Sequence, residues 1–139
     1  MGVSVASANI DLNVQLGIAS GLVGSNYLSG STRLWPEITT TSAIVQSDTT
    51  SSFLVKSHYD SASFSWNGQM IFTRMDTTGT DAWVSSHSMY IHTYRENTGG
   101  GYHPDLGGDL SQIRLRCGGH AFDAGHVNIT YLYSEDSSI

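Results

Sequence analysis

Six His, one Cys and twelve Asp or Glu are the groups in this chain from which a metal or acid–base site would be built. His58-x-Asp60, His103-x-Asp105 and the pair His120 and His126 are the close combinations. In a strand, residues two apart share a face, so His58 and Asp60 would point the same way. None of these spacings is that of a structural or catalytic zinc site, and a single Cys rules out a Cys-rich one. The stretch Asp76-Thr77-Thr78-Gly79-Thr80-Asp81 is rich in oxygen ligands but lacks the spacing of an EF-hand loop, so it reads as a turn.

Nucleophilic chemistry has no better footing. Ser is abundant, yet no Gly-x-Ser-x-Gly elbow occurs, and Gly24-Ser25 and Gly30-Ser31 fall where loops are expected. Only three Glu are present, and no carboxylate pair for glycoside cleavage stands out. No glycine-rich loop leads into Lys-Ser/Thr and a helix, so phosphate binding is not indicated. The expectation is a protein that is not an enzyme and takes no cofactor.

Sugar binding is the remaining small-ligand chemistry. Trp35, Tyr59, Trp66, Trp83, Tyr90, Tyr94 and Tyr102 supply rings, although most aromatics in a thin β-sandwich serve the core. Tyr102 and His103 sit in a glycine-rich stretch expected to be an exposed loop, the usual carrier of binding residues. With Trp35 they form the candidate glycan-binding set. Asn128-Ile129-Thr130 fits a glycosylation sequon, but it is expected mid-strand in a chain without a secretion signal and is discounted.

The elements that would position these groups are strands. Ile10, Leu12, Val14 and Leu16 alternate with polar residues, the pattern of a half-buried strand. Residues 2–9 form an edge strand or an arm, and 17–30 a long connection with four glycines. The Ser/Thr-rich stretch 31–52 is β-branched enough to include an exposed strand. Phe53-Leu54-Val55-Lys56 is a short strand. Residues 63–66 and 69–74 flank Asn67-Gly68, a strong signal for a two-residue hairpin turn. Residues 82–94 run as one long strand with mixed faces, and 95–109, with five glycines, form a flexible loop. At the C-terminal end Ile113 to Cys117 and Val127 to Tyr133 read as two paired strands, with Phe122 at the corner and Gly125 at a positive φ or a bulge. Cys117 continues the apolar face of Ile113 and Leu115 and reads as a buried small hydrophobe. No helical period and no internal repeat are visible, so one all-β domain over residues 1–139 is expected.

Composition agrees. Only 13% of residues are charged, while three Trp, seven Tyr and four Phe with 39% hydrophobics make a folding chain. The formal net charge of −6 argues against a nucleic-acid partner. No signal peptide and no apolar run long enough for membrane insertion are seen, so synthesis in a cytoplasm is expected.

Three segments carry a family resemblance. The string Gly-x-Leu-x-x-Ile-Arg-Leu at Gly108 to Leu115, followed by Phe122-Asp123-Ala124-Gly125-x-Val127-Asn128-Ile129-x-Tyr131, is similar to the closing motif of a family of bacteriophage virion surface domains. His126 stands where that motif usually has Ser or Thr. Val14-Gln15-Leu16-Gly17, Ser20-Gly21-Leu22 and Tyr27 resemble an early segment of the family, and Trp83-Val84 a third position. The resemblance spans roughly residues 9 to 133.

It implies a jelly-roll-like antiparallel β-sandwich, often trimeric, in a virion component, and brings no catalytic motif. A homotrimer would cover open sheet edges, which the low charge leaves poorly protected, and would give the mixed strand at 82–94 a partner. The start at Met1 and the lack of a shaft or baseplate-anchoring segment favour a capsid decoration or head-fibre protein. Its partners would be further copies of itself and major capsid or tail proteins. The alternative is a tail-fibre tip that binds a host surface glycan.

Overall fold

The computed structural model describes residues 2–5, 10–34, 50–56, 65–75, 78–91 and 95–132. Trp35, His58, Asp60 and most of the Ser/Thr-rich stretch lie outside the described residues. The described chain is all-β and has no helix. No helix long and apolar enough to cross a membrane occurs among the described residues.

Among the described residues ten strands form two antiparallel sheets. In chain order they are β1 (Gly2–Val5), β2 (Leu12–Ile18), β3 (Gly21–Leu22), β4 (Leu28–Leu34), β5 (Phe53–Lys56), β6 (Trp66–Arg74), β7 (Trp83–Ile91), β8 (Arg95–His103), β9 (Gln112–Arg116) and β10 (Phe122–Gly125). The large sheet has the order β10-β1-β6-β7-β8-β4. The small sheet has β2 at its centre, paired with β3, β5 and β9. The sheets pack face to face as a β-sandwich, with β5 lying against β4, β8 and β7.

The core has two parts. Val3, Val5, Ile10, Leu12, Val14, Val55, Trp66, Met89, Ile91 and Cys117 fill one. Leu16, Tyr27, Phe53, Trp83 and Leu106 fill the other. Met70, Phe72 and Ile113 pack against both and join them. Alternation places Trp83, Ser85, His87, Met89 and Ile91 of β7 inward, so the long strand expected at 82–94 is present from Trp83 to Ile91, and 92–94 lie outside the described residues. The strands expected at 10–16 and 53–56 are likewise present as β2 and β5. Cys117 is buried, as its place in the alternation implied.

Between the two apolar parts, β5 is held by side chains. Ser29 Oγ accepts from Leu54 N at 2.9 Å and donates to Ser52 O at 3.2 Å. Ser31 Oγ donates to Val55 O at 2.9 Å. These two inward serines of β4 thus bind backbone groups of β5 and of Ser52 just before it. The approach is possible because β8 carries glycine beneath β5. A Cβ on Gly101 would stand 2.5 Å from Phe53 Cδ1 and 2.7 Å from Leu28 O.

Several expectations are corrected. Residues 66–74 form one continuous strand, not a hairpin at Asn67-Gly68. β6 pairs with β7 without a break from Trp66↔Ile91 to Arg74↔Trp83. Gly68 serves close packing instead, since a Cβ there would lie 2.2 Å from Ser88 O. The glycines of 95–109 do not make a loop of that whole stretch, because Arg95–His103 is β8, an inner strand between β7 and β4. β1 is not an edge strand, because β10 and β6 flank it. The stretch 17–30 holds the end of β2, all of β3 and the start of β4.

The closing pair also differs. β9 joins β2, and β10 crosses to the large sheet and joins β1. Residues 127–132 lie in no strand. Phe122 meets Trp66 edge to face at 6.4 Å. Gly125 has φ 116°, so the expected positive φ is found, whereas the register slip falls at Asp123, between the pairs Ser4↔Ala124 and Val5↔Phe122.

Replacing Ser29 by Ala strands the buried Leu54 N–H and should cost about 1–3 kcal/mol of folding free energy. Gly101→Ala forces Phe53 and the Leu28 carbonyl aside and should cost at least about 1–3 kcal/mol. Urea unfolding checks both. Midpoints equal to that of the parent chain would show that β5 is not held in this way.

Candidate functional site

The sites expected from sequence are placed as follows. Tyr102 and His103 are neighbours on β8, so alternation sends them to opposite faces. Tyr102 is 37% exposed on the outer face of the large sheet. His103 is fully buried, which corrects its expected exposure. Its Nε2 lies 2.8 Å from Ser25 O, a carbonyl that only accepts, so this nitrogen carries the proton. Its ring packs edge on against Tyr27 at 4.6 Å. The Tyr27 hydroxyl in turn accepts from Leu16 N at 3.0 Å and donates to Val23 O at 2.9 Å. His103 therefore pins the loop before β4 to the core and does not face a ligand. Tyr102 and His103 thus do not share a face, and Trp35 lies outside the described residues.

His103-x-Asp105 is no ligand pair either. Asp105 Oδ1 accepts from Gly107 N at 2.8 Å and from Asp81 N at 3.1 Å. Those backbone hydrogen bonds, from Asp81 first and Gly107 second, hold its carboxyl below the usual range. The group shapes a turn. His120 and His126 are exposed, and Cys117 Sγ donates to His120 O across the turn at Gly118-Gly119. Among the described residues no three His, Cys, Asp or Glu come together to hold a metal ion.

A contact between Ser and His side chains lies under β5. His87 Nε2 lies 3.2 Å from Ser31 Oγ, and both side chains are buried. Ser31 has a single proton and gives it to Val55 O. The ring must therefore donate to Ser31, which leaves Nδ1 without a hydrogen-bond partner. A general base would need the opposite polarity. The pair is a structural brace under β5. Burial lowers the His87 pKa to about 4, and the nearby Val55 backbone, which favours the protonated ring, offsets part of this.

What the fold does present is the outer face of β4, β8, β7 and β6. Register sets it out in rows. Leu28, Tyr102, Val84 and Thr73 form the first. Gly30, Gly100, Ser86 and Ile71 form the second, and Thr32, Thr98, Ser88 and Gln69 the third. With strands ~4.8 Å apart, each row is ~14 Å wide. The second row has no side chain at Gly30 and Gly100, so backbone floors a shallow trough there. An apolar and aromatic row borders it on one side and a row of hydroxyls on the other. Leu28 is 58%, Ile71 54% and Tyr90 53% exposed. The charged side chain described on this face is Glu96, and Ser88 Oγ donates to it at 3.4 Å. Sequence reasoning singled out Tyr102 but missed Leu28 and Ile71. Leu28 opens a strand that is polar or glycine from Ser29 to Arg33, Ile71 sits inside the apolar run Met70-Ile71-Phe72, and only register brings them beside Tyr102.

Compared with protein-family models, with curated proteins and with solved structures, the chain has no significant match in any of the three.

The His87 brace generates a pH dependence. An unfolded His has a pKa near ~6.5, so the unfolded chain takes up the proton first as pH falls. Stability from a neutral His87 is complete above that value and is lost as pH drops through the window down to about 4. The full loss is at most about 3 kcal/mol. Urea unfolding at pH 7 and pH 4.5 should show a larger drop for the parent chain than for His87→Gln. Equal drops would remove His87 as the cause.

Proposed function

We propose that this chain is a non-enzymatic structural protein of a bacteriophage particle surface. In this reading it is a jelly-roll-type domain assembled as a homotrimer. It decorates the capsid or forms a head fibre, and it acts through contacts with copies of itself and with major capsid or tail proteins. It is made in the host cytoplasm and resides in the virion.

The observation that carries the proposal is the outer face of the large sheet. An antiparallel sheet with one free face normally gives that face polar and charged side chains. Here Leu28, Ile71, Tyr90 and Tyr102 are exposed on it, with Glu96 as the charged group. A large, nearly uncharged face with aliphatic and aromatic groups has the chemistry of a protein contact. The resemblance at residues 14–17, 108–115 and 122–131 supports the phage assignment. These segments fall in and around β2, β9 and β10.

Imaging of purified particles should find the chain at fixed, regularly spaced surface positions. Leu28→Asp combined with Tyr102→Asp should abolish incorporation while leaving the β-sheet circular-dichroism spectrum unchanged. Particles that carry the double variant at full occupancy would overturn the reading.

A second reading, a tail-fibre tip that recognises a host surface glycan, is favoured by Tyr102 alone. Its partly exposed ring borders a trough whose other border is Thr32, Thr98 and Ser88. A ring for stacking beside hydroxyls for hydrogen bonding suits a sugar. A glycan array should then give binding that Tyr102→Ala removes. No binding by the assembled protein would eliminate this reading.

A further inference from the structure

After Gly125 the chain leaves β10 and runs on as His126-Val127-Asn128-Ile129-Thr130-Tyr131-Leu132. This segment has no charged residue, and Val127, Ile129 and Tyr131 alternate with Asn128 and Thr130, the pattern of a strand with one apolar face. Yet it lies in no strand, and all seven residues are exposed. Ile129 is 63%, Tyr131 67% and Leu132 90% exposed. Val127, Ile129 and Tyr131 thus stand in water on a segment assigned to no strand, although β-branched and aromatic side chains favour a covered sheet face.

The complementary feature is the free edge of β9. β9 pairs with β2 along one side, from Asn13↔Arg116 to Gly17↔Gln112, and has no strand on its other side among the described residues. Its inward residues, Ile113 and Leu115, pack against the core but are only half-buried. A strand laid along this edge would take up the free backbone groups and finish covering those two side chains. The other free edges suit the segment less well. The inward residues of β4 are Ser29, Ser31 and Arg33, already buried. β10 has only four residues, and its Asp123 already accepts from Ser4 Oγ at 2.6 Å. Charge points the same way. Arg114 and Arg116 are exposed on β9, and Glu135 and Asp136 follow the segment in sequence.

We propose that residues 126–132 form an arm that adds as a strand to the free edge of β9 in a second copy of this chain. Exchange of arms around a closed ring would cover Val127, Ile129 and Tyr131 and the β9 edge in every copy. The inference rests on the reading of the protein as a homo-oligomer and names the contact that assembles it.

Hydrogen exchange on the full-length parent chain, read at high and at low protein concentration, tests it without a substitution. Protection is expected in both 127–132 and 112–116 in the assembled state, lost from both together on dilution. Ile129→Asp and, separately, Ile129→Pro should reduce the solution mass to that of one chain, 15.0 kDa. The sheet spectrum should be kept. An oligomer that persists in both variants, with 127–132 unprotected in the parent, would overturn the arm while leaving the oligomer reading intact. Protection of 127–132 that does not change with concentration would mean the arm folds on its own chain and would also overturn it. A parent chain that stays monomeric at millimolar concentration would remove the oligomer reading itself.

Discussion

The sandwich depends on how β5 is held between its neighbours. Backbone pairing with β2 serves one side of β5. On the other, two serine hydroxyls of β4 make the hydrogen bonds that a further strand would otherwise make. A hydroxyl both donates and accepts, so Ser29 satisfies the Leu54 amide of β5 and the Ser52 carbonyl just before it at once. Such an arrangement needs the two sheets to approach closely at this point. Glycine at positions 99 and 101 of β8 provides the space, because a Cβ at either would enter β4 or the Phe53 ring. Serine and glycine in adjacent strands are thus one device.

That device explains the divided core. Inward positions in the middle of the large sheet are Ser29, Ser31, Ser85, His87 and Asn97, all buried. None of them can fill a void with hydrocarbon, so the apolar packing gathers on either side, around Trp66 and around Tyr27 and Phe53. Polar groups in such a layer must be paired to be tolerated. Ser31 and His87 pair with each other and, through Ser31, with β5. The pairing fixes the ring's tautomer, and burial keeps it neutral. A contact that has the composition of a catalytic dyad is thereby committed to holding the sandwich shut.

Sequence made some of this legible and concealed the rest for physical reasons. β2, β5 and β7 were readable because alternation or β-branched content survives in a single strand. Gly125 was readable because few residues but glycine accept a φ of 116°. Asn67-Gly68 misled because its turn preference is local, whereas nine consecutive pairings with β7 hold it straight. The glycines of β8 misled for a related reason. Glycine signals freedom in a loop and close approach in a packed strand, and the residues that approach, Phe53 and Leu28, are far away in sequence. Of the expected ligand set, Tyr102 was placed on the surface correctly. His103 was not, since one residue of alternation separates the outer face from the core. The buried serines gave no sequence signal, because a Ser/Thr-rich stretch reads as exposed.

Two departures from ordinary patterning point in one direction. On β4 the usual amphipathicity is inverted: Ser29, Ser31 and Arg33 face the core, while Leu28 faces out. The inward serines follow from the hold on β5, but nothing in the sandwich requires an outward leucine or the exposed Ile71 and Tyr90 beside it. Beyond β10 the same thing recurs, with Val127, Ile129 and Tyr131 set out as a strand face and left in water. A chain that already spends so few charges on solubility gains nothing from these exposures as an isolated domain. They become favourable only if other surfaces cover them. The sheet face is flat and broad, suited to lying against a neighbour. The arm is narrow and extended, suited to entering one. An assembly that used both would bind by area through one and by strand pairing through the other, and only the second would specify which partner and in what register.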